Sequence, residues 1–435
     1  MQTVRVEDVW FKDMDEESVT IARQAISTLV GDGDLDVLNQ RDVQQFLWYT
    51  LPTKWFVETA EHHEIAWVLG DAFRNAGLDR YAAICRALET HLIIGAYAES
   101  DEKGFAACDK AMKESGIEPP KTDLLAWSEY MGPAELAIWD RLSSTLERAI
   151  AAGDLVPGAR GWKKAAERIS KHFLLSEGPD GRVPVEVVET ERLKKWSLDG
   201  GPDRQRLRRS LLPLLSEVSV PGAGLAESLA PARALLEGVG EGATLTKADY
   251  LPRALAVDLN DRFRWYDLPG YNVTSESDVL ALQLLHGLLR RSRLLTKRGR
   301  RLTVSAEGRR CLGDDQRLFR LLAVQVLSGS HVDLDIARLK AGALLVAGEA
   351  RTTNQLAVAI LPAVEEAWRS RDGQPVGLER VKSGGLEWRL NATTFGWLND
   401  SRDYYSGYPQ ELTALGRVAS AIALRALAAA PRKRP

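Results

Sequence analysis

Cysteine is scarce in this chain of 435 residues: there are three, Cys85, Cys108 and Cys311. They are far apart, odd in number and free of any CxxC spacing, which argues against a disulfide framework and a cysteine zinc site and fits a reducing cytosol. Histidines number only six. A Walker A loop, a GxGxxG turn, a GxSxG elbow and an HExxH pair are all missing, so no catalytic template is met and no cofactor is expected. The longest apolar stretches, Leu344 to Ala347 and Val418 to Ala430, are short or interrupted by Arg425, well below the roughly 20 residues of a membrane span. The N-terminal MQTVRVEDVWFKDMDEES has neither the basic nor the apolar region of a signal peptide. The expectation is a cytoplasmic protein that is not an enzyme and has no membrane partner.

What the chain does have is apolar material, 45% of residues, together with 27% charged residues. That is enough to bury several cores, so the length predicts two to four domains. The net charge of −3 hides an asymmetry. Residues 1 to 120 hold 22 acidic and 11 basic side chains, a balance of −11; of the 60 acidic and 57 basic residues in all, the remainder holds 38 and 46, a balance of +8. An acidic N-terminal module is repelled by a phosphate backbone, so any nucleic-acid contact is expected late in the chain.

Apolar periodicity predicts a mainly α fold. An acidic helical bundle is expected over 1 to 175, with helices near Val19 to Leu29, from Gln40, and over Glu58 to Ala76, Arg80 to Ala96, Gly104 to Ser115, Ala134 to Ala152 and Trp162 to Leu175. A short connecting helix is expected over Asp123 to Met131. Residues 176 to 242 read as a helical connector with two linkers, EGPDGRVP and VPGAGLAESLAP, and a short strand at VEVV.

From Ala243 the pattern changes to β-prone ATLT, a helix across Pro252 to Leu259, a polar TSES, a helix over Asp278 to Arg291, and LLTKRGRRLTV as two strands joined at Arg298-Gly299-Arg300. A helix follows from Ala306. This order predicts a winged-helix-like unit over 243 to 329. A second is expected over 330 to 428, because Ser305-Ala-Glu-Gly-Arg309 and Thr413-Ala-Leu-Gly-Arg417 share the pattern [ST]-Ala-x-Gly-Arg, 108 residues apart. Its helices are expected over Asp333 to Leu345, Thr353 to Ile360 and Ala363 to Ser370, with a hairpin-like part at Leu386 to Leu390. In both copies the hydroxyl residue would cap a helix whose glycine admits another backbone. Residues 429 to 435 form a basic tail.

Leu235-Leu-Glu-Gly-Val-Gly-Glu-Gly242, Leu245-Thr246, Tyr250-Leu-Pro252, Leu288-Leu-Arg290 and Leu302-Thr303 resemble uncharacterised actinobacterial proteins that share a C-terminal region found appended to plasmid pRiA4b ORF-type proteins. The resemblance covers about 100 residues and implies domain boundaries and a bacterial origin, with no activity attached. That family tends to read LT-x-x-Gly-Tyr-Leu-Pro, whereas here Asp249 stands in the glycine position.

The densest candidate site is basic: Arg290, Arg291, Arg293, Lys297, Arg298, Arg300 and Arg301, followed by Arg309 and Arg310, against the single acid Glu307. Such a wing suits DNA phosphate, and the helix before it would enter the major groove. That helix offers few base-edge donors, so phosphate contact is favoured over base reading. The expected role is a DNA-binding regulator or DNA-associated accessory protein. The alternative is an interaction scaffold whose arginines dock an acidic partner, and the acidic bundle could itself bind a protein partner or a second copy.

Other candidates carry blander readings. Glu61-His62-His63-Glu64, with His91, suggests metal, but adjacent histidines diverge by about 100° on a helix, so packing is preferred and no metal is expected. Asp32-Gly33-Asp34-Leu35-Asp36 lacks the glycine and glutamate of a calcium loop and reads as a turn. Glu365-Glu366 and Asp314-Asp315 read as surface or cap residues. Trp127, Trp139 and Trp162 read as bundle packing, whereas Trp388 and Trp397 are either core or groove.

Overall fold

The computed structural model describes residues 8–30, 38–216, 218–266, 272–399 and 409–433. The chain is mainly helical and divides into two compact units, Met1–Val188 with Pro431–Pro435, and Glu189–Ala430. The acidic turn around Asp32 and the tail residue Arg434 lie outside the described residues. Among the described residues no helix is long and apolar enough to cross a membrane.

The first unit begins with α1 (Glu16–Val30), which buries Ala22, Ala25 and Ile26 at helical spacing. Next come α2 (Gln40–Gln45), capped by Asn39, and α3 (Leu51–Lys54). They are followed by α4 (Thr59–Asn75), α5 (Asp79–Arg86), α6 (Leu88–Glu99) and α7 (Asp101–Glu114). These enclose a core around Trp48, Leu69, Phe73 and Ile94. The expected single helix over Arg80 to Ala96 is two, because Ala87 is extended. Thr90 braces that break, donating to the Ile84 carbonyl at 2.7 Å and accepting from Trp48 Nε1 at 2.8 Å.

Two smaller cores follow, built on α8 (Pro133–Ala151), α9 (Trp162–Leu175) and α10 (Pro184–Trp196). Trp139 is buried, and Trp127 and Trp162 pack against these cores as bundle residues. The helix expected over Asp123 to Met131 does not form. Thr122 Oγ1 instead accepts the Leu124 and Leu125 amides, a turn that competes with helix. The strand expected at VEVV is helical. Pro184 opens α10, where its missing N–H is harmless, and Pro184, Val188 and Arg192 are buried at four-residue spacing. Packing has overridden β propensity.

The second unit opens with α11 (Pro202–Ser216), then α12 (Leu225–Val239), β1 (Ala243–Thr244), α13 (Arg253–Phe263), α14 (Leu280–Arg291), β2 (Leu295–Arg298), β3 (Arg301–Val304) and α15 (Ala306–Leu312). Part of the segment read as a linker, LAESLAP, is thus the start of α12. After α16 (Asp315–Val326) come α17 (Val332–Ala347), β4 (Arg351–Thr352), α18 (Thr353–Glu365), α19 (Leu378–Ser383), α20 (Leu386–Thr394), β5 (Leu398–Asn399), β6 (Pro409–Leu412) and α21 (Ala414–Ala428). The two antiparallel sheets have the orders β1-β3-β2 and β4-β6-β5, so the third strand lies centrally in each.

Two expectations change here. Leu386 to Leu390 is the start of α20 rather than a hairpin, and the hairpin is β5 with β6. The helix from Thr353 passes through Pro362, because Leu356, Ala357, Ile360, Ala363 and Val364 are buried on one face; no separate helix spans Ala363 to Ser370. One continuous core runs through both halves of this unit and contains Leu285, Leu288, Phe319, Leu344, Trp388 and Trp397. Those last two tryptophans are therefore core residues.

Lys340 sits inside this unit, 5% exposed, and donates to the Lys382 carbonyl at 2.9 Å and the Gly384 carbonyl at 2.7 Å. Burial pushes its ammonium down from 10.5 to about 8. The unfolded chain then holds more protons between those two values, so stability rises with pH across that window, by about 2 kcal/mol. Urea titrations at pH 7.5 and 10 on wild type and Lys340→Met test this, since the variant is expected to lose that increment.

Candidate nucleic-acid interface

The basic cluster is brought together on the end of α14 and the hairpin that follows. The hairpin forms because Leu295, Leu302 and Val304 are buried while Thr296, Arg298 and Arg301 face outward. Its two-residue turn is Gly299-Arg300, with Gly299 at φ +58° as a tight turn needs. Arg298 and Arg301 are directly paired across the strands, as are Thr296 and Thr303, whose hydroxyls lie 3.1 Å apart. Like charges placed opposite one another cost stability unless something neutralises them. Beside them lies a depression of about 530 Å³ lined by Thr296, Arg298, Arg301, Thr303, Arg309 and Glu241, among others.

The predicted site residues have different partners. Arg300 donates to the Leu245 carbonyl through Nε at 2.9 Å and Nη2 at 2.6 Å, which anchors β1 to the hairpin. Arg301 Nη2 reaches the Glu241 carbonyl at 3.2 Å. Arg291 pairs with Glu387, and Lys297 with Asp249. Arg309 donates to the Val304 carbonyl, and Arg310 and Arg317 share Glu307, whose carboxyl they hold below the usual range, Arg317 most. The side chains of Arg290, Arg293 and Arg298 are exposed and make no hydrogen bond or ion pair among the described residues.

Asp249 adopts φ +63°, the left-handed conformation that glycine takes most easily. The ion pair with Lys297 holds the Asp249 carboxyl below its ordinary value.

The helix before the hairpin is less available than sequence suggested. Leu280 and Leu284 of α14 line a cavity of about 420 Å³ together with Leu334, Ala337, Leu386 and Trp388 from α17 and α20. The Arg291–Glu387 pair crosses between the same helices. His286 is buried, with Nδ1 2.9 Å from Glu276 Oε1, and Glu276 also accepts the Leu251 amide. Of the polar residues on α14 and the turn before it, His286 faces the core, Gln283 donates to the Ser277 carbonyl, and Asp278 accepts from Thr274 and Ser275.

No family model, curated protein or solved structure matches the chain. The site rests on its own geometry.

The two [ST]-Ala-x-Gly-Arg segments take the same form. Ser305 and Thr413 accept the Gly308 and Gly416 amides at 2.9 and 3.1 Å, and their hydroxyls donate to the Arg293 and Gly396 carbonyls at 2.7 and 2.8 Å. Arg293 at φ +56° and Gly396 at φ +64° thus hold corresponding places.

The remaining candidates separate. His62 is buried and bonded to the Trp55 carbonyl, while His63 and His91 meet at 2.8 Å and Trp67 stacks on His91. Burial lowers the basicity of both imidazoles. Among the described residues no cluster of three or more His, Cys, Asp or Glu side chains is placed to hold a metal. Asp314 caps α16, Asp315 pairs with Arg233, and Glu366 accepts the Asp203 and Arg204 amides at the start of α11. The Arg432 backbone is not a loose tail: its amide donates to Ser128 Oγ at 3.0 Å, and its carbonyl accepts from the Glu129 amide at 2.8 Å.

Proposed function

We propose that residues 225–428 form two tandem winged-helix-like units and that the protein is a DNA-associated accessory factor that grips the phosphate backbone with the first wing. The observation that carries this is the outward pair Arg298 and Arg301, set opposite each other on a hairpin beside which Arg290 and Arg293 also make no close ion pair. Several guanidinium groups at one edge suit phosphate oxygens, which accept their planar fork. Base reading has little support, since α14 spends its outer face on α20. That same packing favours a second reading, in which the wing docks an acidic protein surface. The resemblance to uncharacterised actinobacterial proteins adds a bacterial setting and no activity.

Gel-shift titration with a random-sequence duplex at about 50 and 200 mM salt distinguishes the two readings. Wild type is expected to bind with a steep salt dependence. Arg298→Glu/Arg301→Glu is expected to weaken binding about tenfold or more and to flatten the log–log salt slope by about 2. Absence of a shift at low salt, or an unchanged slope in the variant, removes the DNA reading.

A further inference from the structure

A large cavity in the first unit has no part in the wing. It is a cleft of about 1,090 Å³ between the core of α1 to α7 and the cores of α8 to α10. That is the size of a small-molecule site, and its lining is predominantly apolar, as in most ligand pockets. Leu78, Tyr81, Ile169 and Phe173 supply the apolar surface.

The charged groups in the cleft differ in how far they are committed. Glu147 accepts from both the Gln40 amide and Tyr81 Oη and pairs with Arg80 at 3.5 Å, so it and Arg80 form a brace joining α2, α5 and α8. Arg141 and Arg148 are placed otherwise. They are seven residues apart and therefore on one face of α8. The Arg141 guanidinium lies 5.7 Å from the Phe173 ring centroid and makes no hydrogen bond or ion pair among the described residues; Arg148 donates to Thr145 Oγ1 at 3.1 Å. His172, on α9, lines the same cleft. Asp79 and Glu177 also line it, so the total lining charge is near zero and selectivity must come from where the two guanidinium groups stand.

We propose that this cleft binds a small organic anion, its acidic group held by Arg141 and Arg148 and its apolar body lying against Tyr81, Ile169 and Phe173. A guanidinium stacked on an aromatic ring keeps its N–H edge free for a carboxylate, sulfonate or phosphate, and an apolar wall beside it strengthens that contact. No bond is made or broken.

Anilinonaphthalene sulfonate (ANS) and its uncharged parent, N-phenylnaphthylamine, are the probes, with fluorescence as the readout on the full chain. The sulfonate is expected to bind at one site per chain. Arg141→Ala/Arg148→Ala is expected to weaken it at least about tenfold, the loss of a charge-assisted hydrogen bond, while leaving the uncharged probe unaffected. Ser144→Trp, at the exposed cleft lining, fills the space and is expected to weaken both probes. No binding, equal loss of both probes in the arginine variant, or an unchanged sulfonate affinity in either variant overturns the proposal. Unaltered near-ultraviolet circular dichroism confirms that each variant is folded.

Discussion

Gly416→Ala is expected to destabilise the second unit by about 3 kcal/mol or more, since a Cβ at this position would sit 1.8 Å from the Trp397 carbonyl oxygen. That oxygen cannot move aside cheaply. It accepts the Thr413 amide at 3.1 Å, and the Trp397 amide is itself held by the Ala392 carbonyl at 2.7 Å. The equivalent change Gly308→Ala meets the Leu294 oxygen at 2.4 Å, where the Ser305 amide is bound at 2.9 Å, and is expected to cost somewhat less. Gly377→Ala is the control, because nothing lies within 4 Å of the added methyl. Urea midpoints rank the three; a Gly416→Ala protein within 1 kcal/mol of the control would mean that the close approach of α21 to the hairpin is wrong.

Arg204→Ala should cost about 3–5 kcal/mol, the range for breaking a buried ion pair from one side. Arg204 is 6% exposed; its Nε donates to the Ala363 carbonyl at 2.7 Å and its Nη groups to Asp335. Asp335 also accepts Trp368 Nε1 at 2.7 Å, so removing the arginine leaves a largely buried carboxylate with one neutral donor. Arg204→Met/Asp335→Leu removes both charges and is expected to lose less than the two single changes together. Strict additivity in that cycle would show that the pair contributes no coupling.

Local features were legible in the sequence where the cause is local. The Ser305 and Thr413 caps, the turn at Gly299 and the helices after each hairpin follow from short-range chemistry that one segment carries by itself. Failures occurred where distant packing decided the outcome. Val188 had strand propensity and went into a helix because a core was waiting on one face. Leu386 to Leu390, expected in a hairpin-like part, is helical because Trp388 is buried in the unit's main core. The charge of the wing was visible, but not which arginines remain unpaired, because Glu387 and Asp249 lie 96 and 48 residues from their partners. The covering of α14 by α20 left no trace in the sequence of α14.

Arg293 occupies a backbone position that its counterpart Gly396 fills without strain. A long side chain held at positive φ costs about 1 kcal/mol, and selection for stability alone would replace it. Keeping a cation there amounts to a trade between robustness and whatever the guanidinium meets outside the fold. The two hairpins thus differ in local strain: the first holds a residue with a long side chain at positive φ where the second has glycine.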